Sequence, residues 1–224
     1  MSSVPPLRED DVALVTSWQA RPESPTEIAE QVTVLLGAIS VIVPEITGWK
    51  RDRAKAVAAP GDIPALADLI ERGAVKDSQR PPVHMQAAGY LQWLYPVGRG
   101  GVQVMISAGQ LSERAISTCV VQVQKTLPQL RTSESARSLL LAAVDAFRPR
   151  WAAWTTHPLS DDDHLTSDGR TLGFLNYGPL AQMRELDPAA VCYGDGAVAM
   201  LGDDAEMTDL DVIRRHLPAG GQAR

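Results

Sequence analysis

The chain has 224 residues, 45% of them hydrophobic and 21% charged, which excludes the disordered and fibrous classes and suits a globular protein. Its net charge of −6 is unevenly distributed along the chain. Residues 151–224 carry 12 acidic and 5 basic side chains, whereas residues 1–150 carry 15 acidic and 16 basic ones. Since phosphate binding needs clustered Lys and Arg, this distribution argues against nucleic acid as a direct ligand and favours a basic protein partner.

Strand and helix signals alternate in the first part of the chain. The run from Val12 to Trp18 is rich in β-branched residues and predicts the first strand. A long helix follows, because Ser24, Pro25 and Glu27 form a capping box with proline at the first helical position. Six apolar residues recur on one face of that helix, which Pro44 ends. Two shorter elements complete this part, a strand at Thr47–Lys50 and a helix from Asp62 to Gly73.

From Gly89 the period of the apolar residues changes from helical to alternating. Three consecutive runs predict antiparallel strands, and the glycines between the first two permit a tight reversal. In the first of these strands, the alternation places Leu91, Trp93 and Tyr95 on one face. The three predicted strands are Gly89–Val97, Val102–Ser107 and Ile116–Gln124.

The last part of the chain predicts a second long helix and several short elements. The helix runs from Ser133 to Phe147, with its apolar residues on one stripe and Pro149 at its end. Three short strands and a final helix follow, at Trp151–Thr156, Leu172–Tyr177, Ala197–Leu201 and Asp209–Leu217.

The helices are too few and too unevenly placed to cover both faces of a parallel sheet. The predicted fold class is therefore α+β, a mostly antiparallel sheet with two long helices and two shorter ones packed on it. We expect one domain over residues 1–224, with frayed ends at 1–10 and 218–224.

The sequence carries no pattern for a secretory leader or a disulfide framework. No apolar stretch follows a basic one near the start, and no run approaches the roughly 18 uninterrupted apolar residues of a membrane span. We therefore expect a bacterial cytoplasmic protein that does not bind membranes. Cys119 and Cys192 are the two cysteines, neither lies in a CxxC pair, and both are expected to be buried thiols.

Sequence patterns for the common catalytic and cofactor classes are absent. The chain contains no GxSxG, no GxxxxGK[ST] and no GxGxxG, and its four histidines include no HExxH pair. We therefore assign no catalytic residue, no cofactor and no metal, and expect a protein that is not an enzyme.

One loop combines carboxylates with a histidine. The loop follows the predicted strand that begins at Trp151, and these residues are Asp161, Asp162, Asp163, His164 and Asp168. Such residues could bind a divalent cation or supply a general acid and base, which would make the protein a metal-assisted hydrolase. The run lacks the alternating ladder of a calcium loop. A solvated acidic loop and a contact with a partner are the other two interpretations.

Aromatic residues offer further candidate contacts. Trp49 lies in a short basic segment that could stack a base, although the alternative is a solvated connection anchored to the core by its tryptophan. Trp151 and Trp154 cannot share one face of a strand, so we expect one ring to be partly exposed. Exposed Trp and Tyr are typical anchors of protein interfaces, although burial in the core is the alternative here as well.

From about Trp18 to Leu217, the order of these features resembles a family of bacterial polymorphic-toxin immunity proteins, immunity protein family fifty-two. The resemblance lies in hydrophobic pattern and element order, over the segments SPTEIAEQVTVLLGAIS, VPEITGWKRDRAKA, DIPALADLIERG, GYLQWLYP, VDAFRPRWAAWTT and LGFLNYGPL. It implies an α+β protein without enzymatic activity, encoded beside a toxin whose C-terminal domain is a restriction-endonuclease-like nuclease. Such a protein would bind the toxin and keep it off DNA or RNA.

If the partner is a nuclease, its phosphate-binding groove is basic, and carboxylates on this chain can compete for the same cations. The acidic residues expected to make this contact are Asp161, Asp162, Asp163, Asp203, Asp204 and Glu206. Trp93, Tyr95 and Trp154 are the expected aromatic anchors. An adaptor or chaperone for a secretion-system component is the alternative function.

Overall fold

The computed structural model describes residues 11–52, 55–79, 82–112, 114–156 and 172–201. Their strands are β1 (Val12–Gln19), β2 (Ile46–Lys50), β3 (Tyr90–Gly98), β4 (Val102–Ala108), β5 (Ile116–Val123), β6 (Trp151–Thr156), β7 (Leu175–Gly178), β8 (Val191–Tyr193) and β9 (Gly196–Met200). The helices are α1 (Pro25–Ile42), α2 (Ile63–Glu71), α3 (Ser133–Phe147) and α4 (Leu180–Leu186), with short 3-10 turns at Gln86–Ala88 and Pro128–Leu130.

The nine described strands form one sheet in the order β2-β3-β4-β5-β1-β6-β7-β9-β8. Every neighbouring pair is antiparallel. Among the described residues α1 and α3 are long, with 18 and 15 residues, and α2 and α4 are short, with 9 and 7. The predicted α+β fold is therefore confirmed.

The start of α1 forms as its sequence predicts. The Ser24 hydroxyl accepts a hydrogen bond from the Glu27 backbone N–H at 3.3 Å, and the Glu27 carboxylate accepts one from the Ser24 N–H at 2.7 Å. This capping box satisfies two backbone donors that have no partner within the helix. The hydrogen bonds from Ser24 lower the pKa of Glu27 because they favour the ionised carboxylate.

Among the described helices, α1 alone is long and apolar enough, by length and composition, to cross a membrane. A third of its residues are buried inside the protein, which puts one face of the helix in the core. A core helix of a soluble protein meets the same two criteria, so they assign no location. The buried residues are Ile28, Ala29, Val32, Leu35, Leu36 and Ile39.

One face of the sheet carries α1, α2 and α3, and the core lies between these layers. A row of paired residues crosses six strands on this face, and all six side chains are buried: Leu94, Val104, Val121, Leu14, Trp154 and Leu175. On the same face, further along β1, Trp18 stacks on Phe147 of α3, with ring centroids 4.7 Å apart. Apolar burial on this scale is the main stabilising contribution to a fold of this size.

We call the opposite side of the sheet the open face, and its exposure changes from one edge to the other. Its middle row begins with the half-buried Trp93, Met105, Val120 and Val15, and ends with the fully buried Ala153, Asn176 and Ala199. The helix α4 packs on the buried half, where atoms of Trp151 and Met183 lie within 3.3 Å of the position that a Cβ on Gly178 would take.

In the second half of the chain two elements were not predicted, two predictions need correction, and one lies outside the described residues. Neither α4 nor β8 was predicted, and the strand predicted to begin at Leu172 begins at Leu175. Cys119 is buried as expected, but Cys192 is exposed because it lies on the edge strand β8. The helix predicted at Asp209–Leu217 lies outside the described residues.

Candidate partner-binding surface

The half-exposed part of the open face carries a group of large apolar side chains, which we call the aromatic patch: Leu91, Trp93 and Tyr95 of β3 and Met105 of β4. Trp93 and Met105 are direct partners across the two strands. Leu91 is 49% exposed, and the other three side chains are half-buried. The strand alternation predicted from the sequence therefore places Trp93 and Tyr95 at the surface, as an interface anchor requires.

The aromatic patch lies on a rigid support. Its strand β3 is hydrogen-bonded to β2 on one side and to β4 on the other. The alternate residues of β3, Gln92 and Leu94, point to the opposite face and are buried there. Because the backbone beneath the patch is fixed by the sheet, a partner would bind it without first ordering a loop.

The neighbouring strands extend the patch with apolar and neutral polar side chains. Val120 of β5 pairs with Met105, and Val15 of β1 pairs with Val120, so the row continues across the sheet. On the same face the side chains of Gln103 and Gln122 are hydrogen-bonded to each other. The exposed half of the open face is therefore apolar at its centre and carries no charge there.

Charged residues border the aromatic patch at its β2 end. Lys50 of β2 is the partner of Tyr95 across the strands. Burial raises the pKa of Tyr95, and the charge of Asp52 raises it further. The phenol is therefore neutral at physiological pH and can donate or accept one hydrogen bond at the rim of the patch.

Trp154, the third predicted anchor, does not lie on this surface. Its ring is 1% exposed and faces α1, α2 and α3, between Leu14 and Leu175 of the neighbouring strands. The prediction was wrong because β6 lies in the middle of the sheet, where both faces are covered. Trp151, on the other side of the same strand, is 5% exposed, so the expectation that one of the two rings is exposed was also wrong.

The acidic residues predicted to contact a partner, Asp161, Asp162, Asp163, Asp203, Asp204 and Glu206, lie outside the described residues, as do His164 and Asp168. Trp49 of the basic segment is fully buried, which matches its interpretation as an anchor to the core. Within the described ranges, no group of three or more His, Cys, Asp or Glu side chains could hold a metal ion.

The sequence matches no family model and no curated protein. The fold, an antiparallel sheet with three helices on one face and α4 on the other, is similar to that of a solved structure described as a Pseudomonas aeruginosa T6SS protein, where T6SS denotes the type VI secretion system. The TM-score is 0.52 with 12% sequence identity, and the match covers 92% of this chain and 72% of that chain. This similarity shows a shared fold.

Proposed function

We propose that this chain is an immunity protein of a bacterial secretion system, which binds a cognate toxin and neutralises it without catalysis. The observation that carries the proposal is the aromatic patch, a set of Trp, Tyr, Leu and Met side chains left at the surface of a rigid sheet. The shared fold with a T6SS protein supports an association with a secretion system. The immunity function is supported by the resemblance of hydrophobic pattern and element order to immunity protein family fifty-two.

The composition of the patch is that of an interface centre. Trp and Tyr are the residues that most often contribute the largest share of binding energy, and they do so at the centre of an interface from which water is excluded. A stable complex buries about 1,600 Å² in total. The apolar row from Trp93 to Val15 would supply the centre of such a contact, with Lys50 and Tyr95 at its rim.

Charge supports a basic partner. The last 74 residues carry 12 acidic and 5 basic side chains, and an inhibitor with excess carboxylates is attracted to the phosphate-binding groove of a nuclease. A restriction-endonuclease-like toxin domain therefore fits the proposed partner. Attraction between opposite charges also accelerates association and makes the association rate fall with added salt.

The similarity to a T6SS protein also fits the alternative function, an adaptor or chaperone for another component of the secretion system. The two functions differ in what the partner does when this chain is missing. A toxin would kill its host, whereas the client of an adaptor would only fail to be exported or to fold.

The proposed function is tested by expressing this chain in a bacterial host together with the nuclease-like domain encoded beside its gene. We expect the wild-type chain to restore growth, and the variant W93A/Y95A to lose that protection. Leu91→Glu gives a second test that leaves the aromatic rings in place, because Leu91 is 49% exposed and a charge there requires little rearrangement. The matched control is Val41→Ala, an exposed apolar residue of α1 that lies far from the open face.

Two outcomes would contradict different parts of the proposal. Death of cells that express the wild-type chain would remove the immunity function itself. Full protection by both patch variants, at wild-type protein levels, would leave the function in place but would remove the aromatic patch as the binding surface.

A further inference from the structure

The protein's own helices leave half of the open face bare. The helix α4 packs on β7 and β9, and the other three described helices lie on the opposite face, so the part formed by β3, β4, β5 and β1 is left uncovered. Its most exposed apolar side chains are Leu91 and Ile116, which are 49% and 62% exposed. Soluble monomers rarely leave a contiguous apolar surface of this kind open to water, and such a surface is typical of an interface.

Leu91 and Ile116 belong to the same end of this surface. Leu91 pairs with Ser107, and Ser107 pairs with Thr118 of β5. Ile116 lies two residues before Thr118 on the same strand, so its side chain points to the same face. The aromatic patch therefore continues into a second exposed apolar residue two strands away.

The charge pattern of this surface suits contact with a copy of itself. All residues of β1, β3, β4 and β5 lie in the described part of the chain, and these four strands contain no Asp, Glu, Lys or Arg. In a two-fold symmetric contact a residue near the axis meets its own counterpart, so a charge there would be repelled by an identical charge. An uncharged surface avoids this repulsion.

The net charge of the whole chain does not oppose such a contact. The four strands lie within residues 1–150, which carry 15 acidic and 16 basic side chains. The acidic excess lies in residues 151–224. Two copies that meet through β1, β3, β4 and β5 therefore bring together the nearly neutral parts of two acidic chains.

The rim of the surface is self-complementary as well. Lys50 pairs with Tyr95 at the β2 edge, and Asp52 lies near the same tyrosine, because its charge adds to burial in raising the pKa of Tyr95. In a two-fold contact, residue i of one copy meets residue j of the other and the reverse also holds. Lys50 of each copy can thus face Asp52 of the other, which fixes the register of the contact while adding little to its strength.

The size of the surface limits how tightly two copies can associate. Four neighbouring strands span about 19 Å, and the residues from Leu91 to Val97 extend over about 20 Å, which gives roughly 400 Å² in projection. Each partner of a stable complex of standard size buries about 800 Å². A contact limited to this surface is therefore weak and readily reversible.

We propose that two copies of this chain associate through their open faces into a weak two-fold symmetric dimer, in which each copy covers the aromatic patch of the other. The two sheets would pack face to face at about 10 Å. The dimer itself depends on the sheet face alone. A consequence rests on the proposed function: the toxin and the second copy compete for the same patch, and a basic toxin is attracted to this acidic chain whereas a second copy is not.

The dimer is tested by sedimentation velocity of the full chain from about 1 to about 300 µM, a range that covers the dissociation constants of weak contacts. We expect the weight-average mass to rise reversibly from that of one chain toward that of two. In a parallel dilution series of the ¹⁵N-labelled full chain, the backbone amides of β3, β4 and β5 should shift with concentration. The amides of α1, on the other side of the sheet, should not.

Three variants separate the open face from the rest of the surface. Leu91→Glu and Ile116→Glu should each weaken the dimer about tenfold or more, because the two-fold axis places two new carboxylates against an apolar surface. Both residues are exposed, so the fold should tolerate the change, which thermal unfolding followed by circular dichroism verifies. Val34→Glu is the matched control: the residue is 46% exposed on α1, and the variant should dimerise as the wild type does.

The dimer would be overturned by the mass of a single chain at every concentration, or by wild-type association in both open-face variants. Concentration-dependent shifts centred on α1 or β8 would also overturn it, because they would place the contact elsewhere.

Addition of the nuclease-like domain encoded beside the gene tests the competition. We expect a complex with one copy of each chain, and a complex that keeps two copies of this chain joined through their open faces would overturn the competition. Dimerisation without any binding of the nuclease-like domain would support the dimer and contradict the proposed function, so the two can fail separately.

Discussion

Trp93 and Trp154 lie on opposite faces of the same sheet, and this difference separates a surface residue from a core residue. Trp93 pairs with Met105 in the exposed half of the open face, whereas Trp154 pairs with Leu14 beneath the helices. The two side chains are chemically identical, so their different environments alone determine what each contributes to stability and to binding.

Replacing either tryptophan by alanine should therefore give different effects on the free energy of unfolding. Trp154→Ala removes a ring that is 1% exposed and leaves a cavity, which should cost about 3–5 kcal/mol. Trp93→Ala removes a half-buried ring from a surface that water already reaches, and should cost about 1 kcal/mol. Urea denaturation followed by circular dichroism measures both. Equal losses of stability in the two variants would contradict the assignment of the two rings to different faces.

Two glycines offer a matched test of packing. A Cβ on Gly196 would come within 2.6 Å of the Gly178 carbonyl oxygen and 2.8 Å of the Tyr177 ring, whereas a Cβ on Gly37 of α1 would meet nothing within 4 Å. Gly196→Ala should therefore lower the melting temperature and cost about 1–3 kcal/mol. Gly37→Ala should raise it by stabilising the helix by about 1 kcal/mol. The turn at Gly196 would be less closely packed than described if both variants were more stable than the wild type.

The sequence predicted the elements whose signals are local. The capping box at Ser24 and Glu27 fixed the start of α1, and strict alternation identified β3 together with the face that carries Trp93 and Tyr95. These signals are reliable because hydrogen bonds of a helix end and the period of a strand depend on neighbouring residues alone.

The features that sequence reasoning missed either depend on residues far apart in the chain or are too short to carry a pattern. Burial of Trp154 follows from the position of β6 between β1 and β7, and strand order is not encoded in local periodicity. The α4 helix has seven residues, too few for a helical period to be recognised.

The capping box should make stability depend on pH. The pKa of Glu27 is lowered in the folded state from an ordinary value of 4.5, chiefly by its hydrogen bond to the Ser24 backbone. A carboxyl group whose pKa is lowered by folding stabilises the fold at pH values above its pKa in the unfolded state. That stabilisation is lost as the pH falls through its pKa in the folded state. Glu27→Gln should therefore unfold at a lower temperature than the wild type at pH 7, and at a similar temperature at pH 3. A difference that stays constant between these two pH values would show that the charge of Glu27 contributes nothing.

The two cysteines should differ in reactivity. Cys192 is exposed on β8 and should react rapidly with a disulfide reagent such as dithiobisnitrobenzoate in the native protein. Cys119 is buried, and burial raises the pKa of its thiol well above the ordinary value of 9.0, so the reactive thiolate is absent at neutral pH. The native chain should thus release one equivalent of thionitrobenzoate, and a second only after unfolding. The variant Cys192→Ser should not release the first equivalent. Rapid reaction of the native Cys192→Ser variant would mean that β1 and β5 open readily around Cys119, against the pairing seen across these strands.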